Sequence, residues 1–89
     1  MRHFQPPEPV IVPKTSEAQR QYLKRGLNQP GGKLPLFDRD GQQIGLDTIR
    51  ACIRAGWAEP WFDNPIKPDW LVCKLTQAGR QVLKDDGVI

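Results

Sequence analysis

The residues of this chain that could do chemistry fall into a few small groups. Arg50 and Arg54 stand four apart, as do Arg20 and Lys24, so in a helix each pair would share one face. Cys52 and Cys73 lie far apart inside apolar patterns, and neither has a CxxC partner. The single histidine is His3, so no His/Cys set at zinc-binding spacing is present. Gly31-Gly32-Lys33 lacks the remainder of a phosphate-cradling P-loop. Asp63 and Asp69 look like a carboxylate pair, but they flank a proline-rich stretch, where aspartate is a turn former. With no nucleophile–base pair, metal set or phosphate loop, the expectation is a protein that is not an enzyme and uses no cofactor or metal.

Three tryptophans, Trp57, Trp61 and Trp70, flank one segment. Indole rings stack on nucleobases. Three of them around a hairpin also make the mini-core of a small domain, and of the three Trp61 is the one expected to be partly exposed. Both readings stand at this point.

Bulk properties narrow the class. At 89 residues and 38% hydrophobic the chain can bury one small core, which leaves no room for a large enzyme cleft. A net charge of +3 permits a polyanionic partner without requiring one. No apolar run is long enough to cross a bilayer, and no basic stretch precedes an apolar one in the manner of a signal peptide. The expected location is therefore the cytoplasm, with no membrane contact, and the two cysteines are expected as buried free thiols.

The elements that must position these residues can be read in order. Pro6, Pro7, Pro9 and Pro13 exclude a helix from residues 1–14, which form a proline-rich arm. Within it Val10-Ile11-Val12 is apolar and β-branched. Residues 15–89 form the domain. Ser16-Glu17-Ala18-Gln19 fits a capping box, with Ala18, Tyr22, Leu23 and Leu27 as the inward stripe and Gly26 as the stop. Residues 33–45 read as two short strands, or a strand and a loop, with a short irregular helix as the alternative; Asp40-Gly41 marks a tight turn. Leu46 to Ala55 is the best helix, with Leu46, Ile49, Cys52 and Ile53 inward and Gly56 as its stop. Ala58–Asp63 and Trp70–Leu75 are strands around a proline-rich tip. Thr76 then caps a last helix, Gln77–Lys84, with Ala78, Val82 and Leu83 inward.

Two segments in this order resemble the winged helix-turn-helix superfamily, in its prokaryotic transcription-regulator form of the MarR and PadR type. Thr48-Ile49-Arg50-Ala51-Cys52-Ile53-Arg54-Ala55-Gly56-Trp57 resembles the third helix of such domains. Cys73-Lys74-Leu75-Thr76-Gln77-Ala78-Gly79-Arg80-Gln81-Val82-Leu83 is similar to the segment where the second wing strand passes into a following helix. The resemblance implies a small α+β winged-helix domain of three short helices with a β-hairpin wing. It implies a DNA-binding protein, a transcriptional or mobile-element regulator. Helix 46–55 would enter the major groove of double-stranded DNA and hairpin 58–75 would act as wing.

On that reading Arg50 and Arg54 contact phosphate or a guanine edge, with Ala51 on the same side and Thr48 at a phosphate near the helix start. Lys67 at the tip and Lys74 on the second strand add phosphate contacts, and Arg20 and Lys24 are secondary candidates. Asp38, Asp40 and Asp47 bring negative charge close to that face. The alternative is a winged-helix adaptor that binds protein, or a second copy of itself, through residues 9–13 added as a strand. Arg50 and Arg54 would then be a solvated helix face, with Asp47 paired to Arg50.

Overall fold

The computed structural model describes residues 13–61 and 72–89. Three helices and a two-stranded antiparallel sheet make a small α+β fold. Helix α1 spans Glu17–Lys24 and begins with the expected capping box. The Ser16 hydroxyl accepts the Gln19 N–H at 3.2 Å, and the Gln19 side chain accepts the Ser16 N–H at 2.8 Å. Tyr22 and Leu23 are buried as expected, and Leu27 packs half-buried against the same core. Ala18 corrects the stripe: it is exposed, at the rim of a groove beside Gln21.

Gly26 follows the Arg25 C-cap, where the stop was expected, but it is not among the glycines with positive φ. It is buried, and a Cβ there would lie 2.8 Å from Leu34 Cδ2 and 2.9 Å from the Gly32 carbonyl oxygen. Close approach of two chain segments, not left-handed backbone, is what requires glycine.

A single 3₁₀ turn, Pro30–Gly32, leads into an antiparallel bridge between Lys33 and Lys74, where the Leu34 N–H donates to the Cys73 carbonyl at 2.8 Å. A second bridge joins Phe37 to Gln43 across a turn. In that turn the Asp38 carboxylate accepts the N–H groups of Asp40 and Gln42, each at 2.9 Å, and Gly41 takes a φ of 80°. Residues 33–45 thus hold two isolated bridges; neither a regular strand pair nor a helix forms there.

Helix α2 spans Leu46–Arg54, with Ile49 and Cys52 buried and Ile53 packed beside them. Its end is a Schellman motif. Gly56, at φ 80°, donates to the Ile53 carbonyl at 3.0 Å, and Trp57 donates back to Cys52 at 2.9 Å. This turn delivers the chain into β1 (Ala58–Pro60), which pairs with β2 (Cys73–Leu75) in the register Ala58↔Leu75, Glu59↔Lys74, Pro60↔Cys73. Only the inner ends of the two expected strands are described. The proline-rich tip with Lys67, the flanking Asp63, Asp69 and Trp70, and residues 9–12 of the arm lie outside the described residues.

Helix α3 (Gln77–Asp85) is capped by Thr76, whose hydroxyl accepts the Gly79 N–H at 3.0 Å and donates to the Gly56 carbonyl at 2.6 Å. Val82 and Leu83 are buried as expected, but Ala78 is exposed and Gly79 takes the buried first-turn position. The reason is steric: a Cβ on Gly79 would overlap the Trp57 carbonyl oxygen.

The core gathers one set of side chains from each element, with Leu23, Leu34, Ile49 and Leu83 at most 1% exposed. Each contributes about 1.5–3 kcal/mol by leaving water. Cys52 and Cys73 are free and buried, as expected. Burial, with Cys73 nearby, pushes the Cys52 thiol up to about 11. Burial also raises the Cys73 thiol and, with Cys73 adding to it, the Tyr22 hydroxyl. That hydroxyl is buried without a hydrogen bond of ordinary geometry, and the Cys73 thiol is its polar neighbour.

The two ends of the described domain are tied together by Asp86. Its carboxylate accepts the backbone N–H of Lys14 at 2.9 Å, that of Thr15 at 3.0 Å and the Thr15 hydroxyl at 2.5 Å. Thr15 is the one buried polar residue among those described. These bonds, the Thr15 hydroxyl first, hold the Asp86 carboxyl below its ordinary range.

Candidate nucleic-acid interface

The apolar stripe of α2 decides which of its side chains face water. With Ile49 and Cys52 locked inward, Asp47, Arg50 and Arg54 are exposed, and Thr48 and Ala51 are half-buried. Arg50 and Arg54 fall on one flank, as the four-residue spacing requires. Thr48 does not join them: a helix turning about 100° per residue puts Thr48 roughly 160° from Arg50. Thr48 instead lines a groove of about 370 Å³ between α1, the Asp38–Gly41 turn and the first turn of α2. Arg25, Arg39, Asp38 and Asp40 share that groove, so both signs of charge meet there. Asp47 and Ala51 lie between the two flanks.

Lys74 stands on the outward face of β2, as expected, but it is engaged. Its ammonium lies 3.3 Å from the carboxylate of Glu59, directly opposite on β1, and 5.9 Å from the centroid of the Trp61 ring. Trp61 is 43% exposed, whereas Trp57 packs half-buried against the core. On the far side of Lys74 stands Lys33, paired to it by the isolated bridge. Sequence reasoning missed Lys33 as a member of this surface. The two lysines are brought together only by a long-range pairing, of which Gly31-Gly32-Lys33 carries no local mark.

The secondary candidates separate. The Arg20 guanidinium bonds Glu17 at 2.7 Å, the Thr15 hydroxyl at 3.2 Å and the Thr15 carbonyl at 3.0 Å. It braces the start of α1. A bond from Gln21, then the charge of Arg20, holds the Glu17 carboxyl below its ordinary range. Lys24 is half-buried in the last turn of α1, where its charge complements the helix dipole. Lys67 lies outside the described residues.

Among the described residues no group of three or more His, Cys, Asp or Glu side chains could hold a metal ion. Among them, too, no helix is long and apolar enough to cross a membrane. Two surfaces stand out among the described residues, a basic flank of α2 and a small sheet face bearing an aromatic ring and lysines. No protein-family model, no curated protein and no solved structure matches the chain.

Proposed function

We propose that this chain is a small winged-helix DNA-binding protein, a transcriptional or mobile-element regulator, in which α2 enters the major groove and the β1–β2 hairpin is the wing. The observation that carries the reading is the outward flank of α2. Arg50 and Arg54 are exposed on a helix whose opposite stripe is fixed in the core. The hairpin follows that helix after a single glycine-centred turn. A B-DNA major groove is about 12 Å wide and admits one such helix. The bridge at Lys33 adds a third strand position beside β2, which suits a wing braced from behind. The chain differs from the family pattern at residues 37–45, where a bridged turn stands in place of a helix.

The test is binding to labelled duplex DNA, followed by fluorescence anisotropy across a salt series. Arg50→Ala and Arg54→Ala should each weaken binding about tenfold, and each lost phosphate contact should flatten the salt slope by about one. Undetectable duplex binding at low ionic strength refutes the reading.

A second reading, a protein-binding adaptor, draws on the internal ion pairs. Lys74 is paired with Glu59 and Arg20 with Glu17, and Asp38 and Asp40 line the groove beside Thr48. The part in it of residues 9–13 is tested by light scattering of the full chain and of a chain lacking residues 1–12. Equal masses, both those of a monomer, would remove arm-mediated self-association.

A further inference from the structure

The solvent face of the small sheet gathers charged and aromatic side chains from three chain segments. Antiparallel pairing puts Glu59 opposite Lys74, and the bridge puts Lys33 on the other side of Lys74. Alternation along the extended chain puts Trp61 on this same face, two residues beyond Glu59. Its backbone is held there by a 2.7 Å bond from the Trp61 N–H to the Val72 carbonyl.

The ring is seated from below. A Cβ at Gly31 would come within 2.7 Å of Trp61 Cη2 and 3.2 Å of Cζ3, so the indole rests on bare backbone. Gly31 also takes a φ of 66°, so glycine is favoured there twice over. The ring nevertheless remains 43% exposed, with the Lys74 ammonium at its side. Two lysines directly opposite each other are mutually destabilising, and Glu59 offsets only one of them. An anion over this face would relieve that repulsion.

We infer that this sheet face seats an unpaired nucleotide of DNA, with the base stacked on Trp61 and the adjoining phosphate between Lys33 and Lys74. Every base offers a π-face, so such a seat tolerates sequence, and ammonium groups beside an aromatic ring are the usual partners of a single strand. The Glu59 carboxylate repels a phosphate on its own side, which places the backbone on the Lys33 side of the ring. The inference rests on the DNA-binding reading above and adds a contact of a different kind: α2 takes duplex, and the sheet face takes a strand that has left the duplex.

Three labelled probes separate the two: a blunt duplex, the same duplex with a single-stranded thymidine tail, and oligothymidylate alone. The intact protein should hold the tailed duplex about tenfold more tightly than the blunt one. Trp61→Ala should weaken the tailed probe far more than the blunt one and so erase that difference, while Trp61→Phe retains most of it. Lys33→Gln, which leaves the ring's seat untouched, should flatten the salt slope for the tailed probe by about one without lowering the thermal melting temperature of the parent. Oligothymidylate should quench that part of the indole fluorescence which Trp61→Phe removes. The inference is overturned if the tail adds nothing, if oligothymidylate leaves Trp61 emission unchanged, or if Trp61→Ala weakens blunt and tailed probes alike. Loss of blunt-duplex binding together with Trp61-dependent binding of oligothymidylate would sink the α2 reading and leave this one standing.

Discussion

Replacing Gly79 by alanine should destabilise this protein, although alanine is the better helix former by about 1 kcal/mol. The sign is decided by what lies above Gly79 in α3. An added Cβ would overlap the Trp57 carbonyl oxygen and lie 2.6 Å from Leu75 Cδ1. The leucine methyl can swing aside, but the carbonyl is backbone, held at 3.0 Å by the Thr76 N–H. The first turn of α3 would have to move outward. That movement strains the Thr76 cap on Gly79 and the bond from the Thr76 hydroxyl to Gly56. Overpacking of this kind costs about 1–3 kcal/mol, and each weakened hydrogen bond about 1 kcal/mol more. After the gain in helix propensity the net loss is about 2–4 kcal/mol. With an m-value of about 1 kcal/mol/M, the urea midpoint followed by far-UV circular dichroism should fall by about 2–4 M. The neighbouring exposed residue supplies the control, since Ala78→Gly meets no such contact and should cost only about 1 kcal/mol. A Gly79→Ala protein as stable as the parent, or more so, would refute the packing argument.

Four further outcomes follow from the same geometry. Gly56→Ala should cost about 1–2 kcal/mol purely through its left-handed backbone, because a Cβ there meets nothing within 4 Å, and Gly56→Asn should cost less; paired urea titrations read both. Asp86 is held below its ordinary range, so the stability it adds is present above the unfolded carboxylate value of 3.8 and is lost as pH falls through the lower folded value; Asp86→Asn should remove that contribution to the acid limb in thermal melts taken from above 3.8 downward. The thiols run the opposite way. Cys52 rises from 9.0 to about 11, so its contribution is intact below 9.0 and is lost as pH climbs through the folded value; alkaline unfolding should set in across that window, and Cys52→Ser should blunt it. In the native protein below that window neither thiol should react with a disulfide reagent faster than the chain unfolds.

What was legible in the sequence and what was not divides along one physical line. The Ser16–Gln19 capping box, the Thr76 cap and the Gly56 stop were readable because each hydrogen-bond partner lies within a few residues. The inward stripe of α2 and the exposure of Arg50 and Arg54 were readable for a related reason: helical period alone fixes a face once Ile49 and Cys52 are inside. The same period sends Thr48, expected at a phosphate near the helix start, to the flank away from the arginines. The errors at Ala18 and Ala78 came from treating small residues by type, when the deciding quantity was how near another segment comes. Gly26 is set by Leu34 and Gly32, and Gly79 by Trp57, contacts no local pattern encodes. Longer links were invisible altogether. Asp86 reaches back 71 residues to Thr15, and Lys33 meets Lys74 across the sheet. These links clamp the domain shut and build the sheet face on which Trp61 stands. Local rules therefore found the outward helix flank and, singly, Trp61 and Lys74, but not the pairing with Lys33 that joins them into one surface. That surface exists only because the turn at Gly31 comes up under an indole ring thirty positions further along the chain.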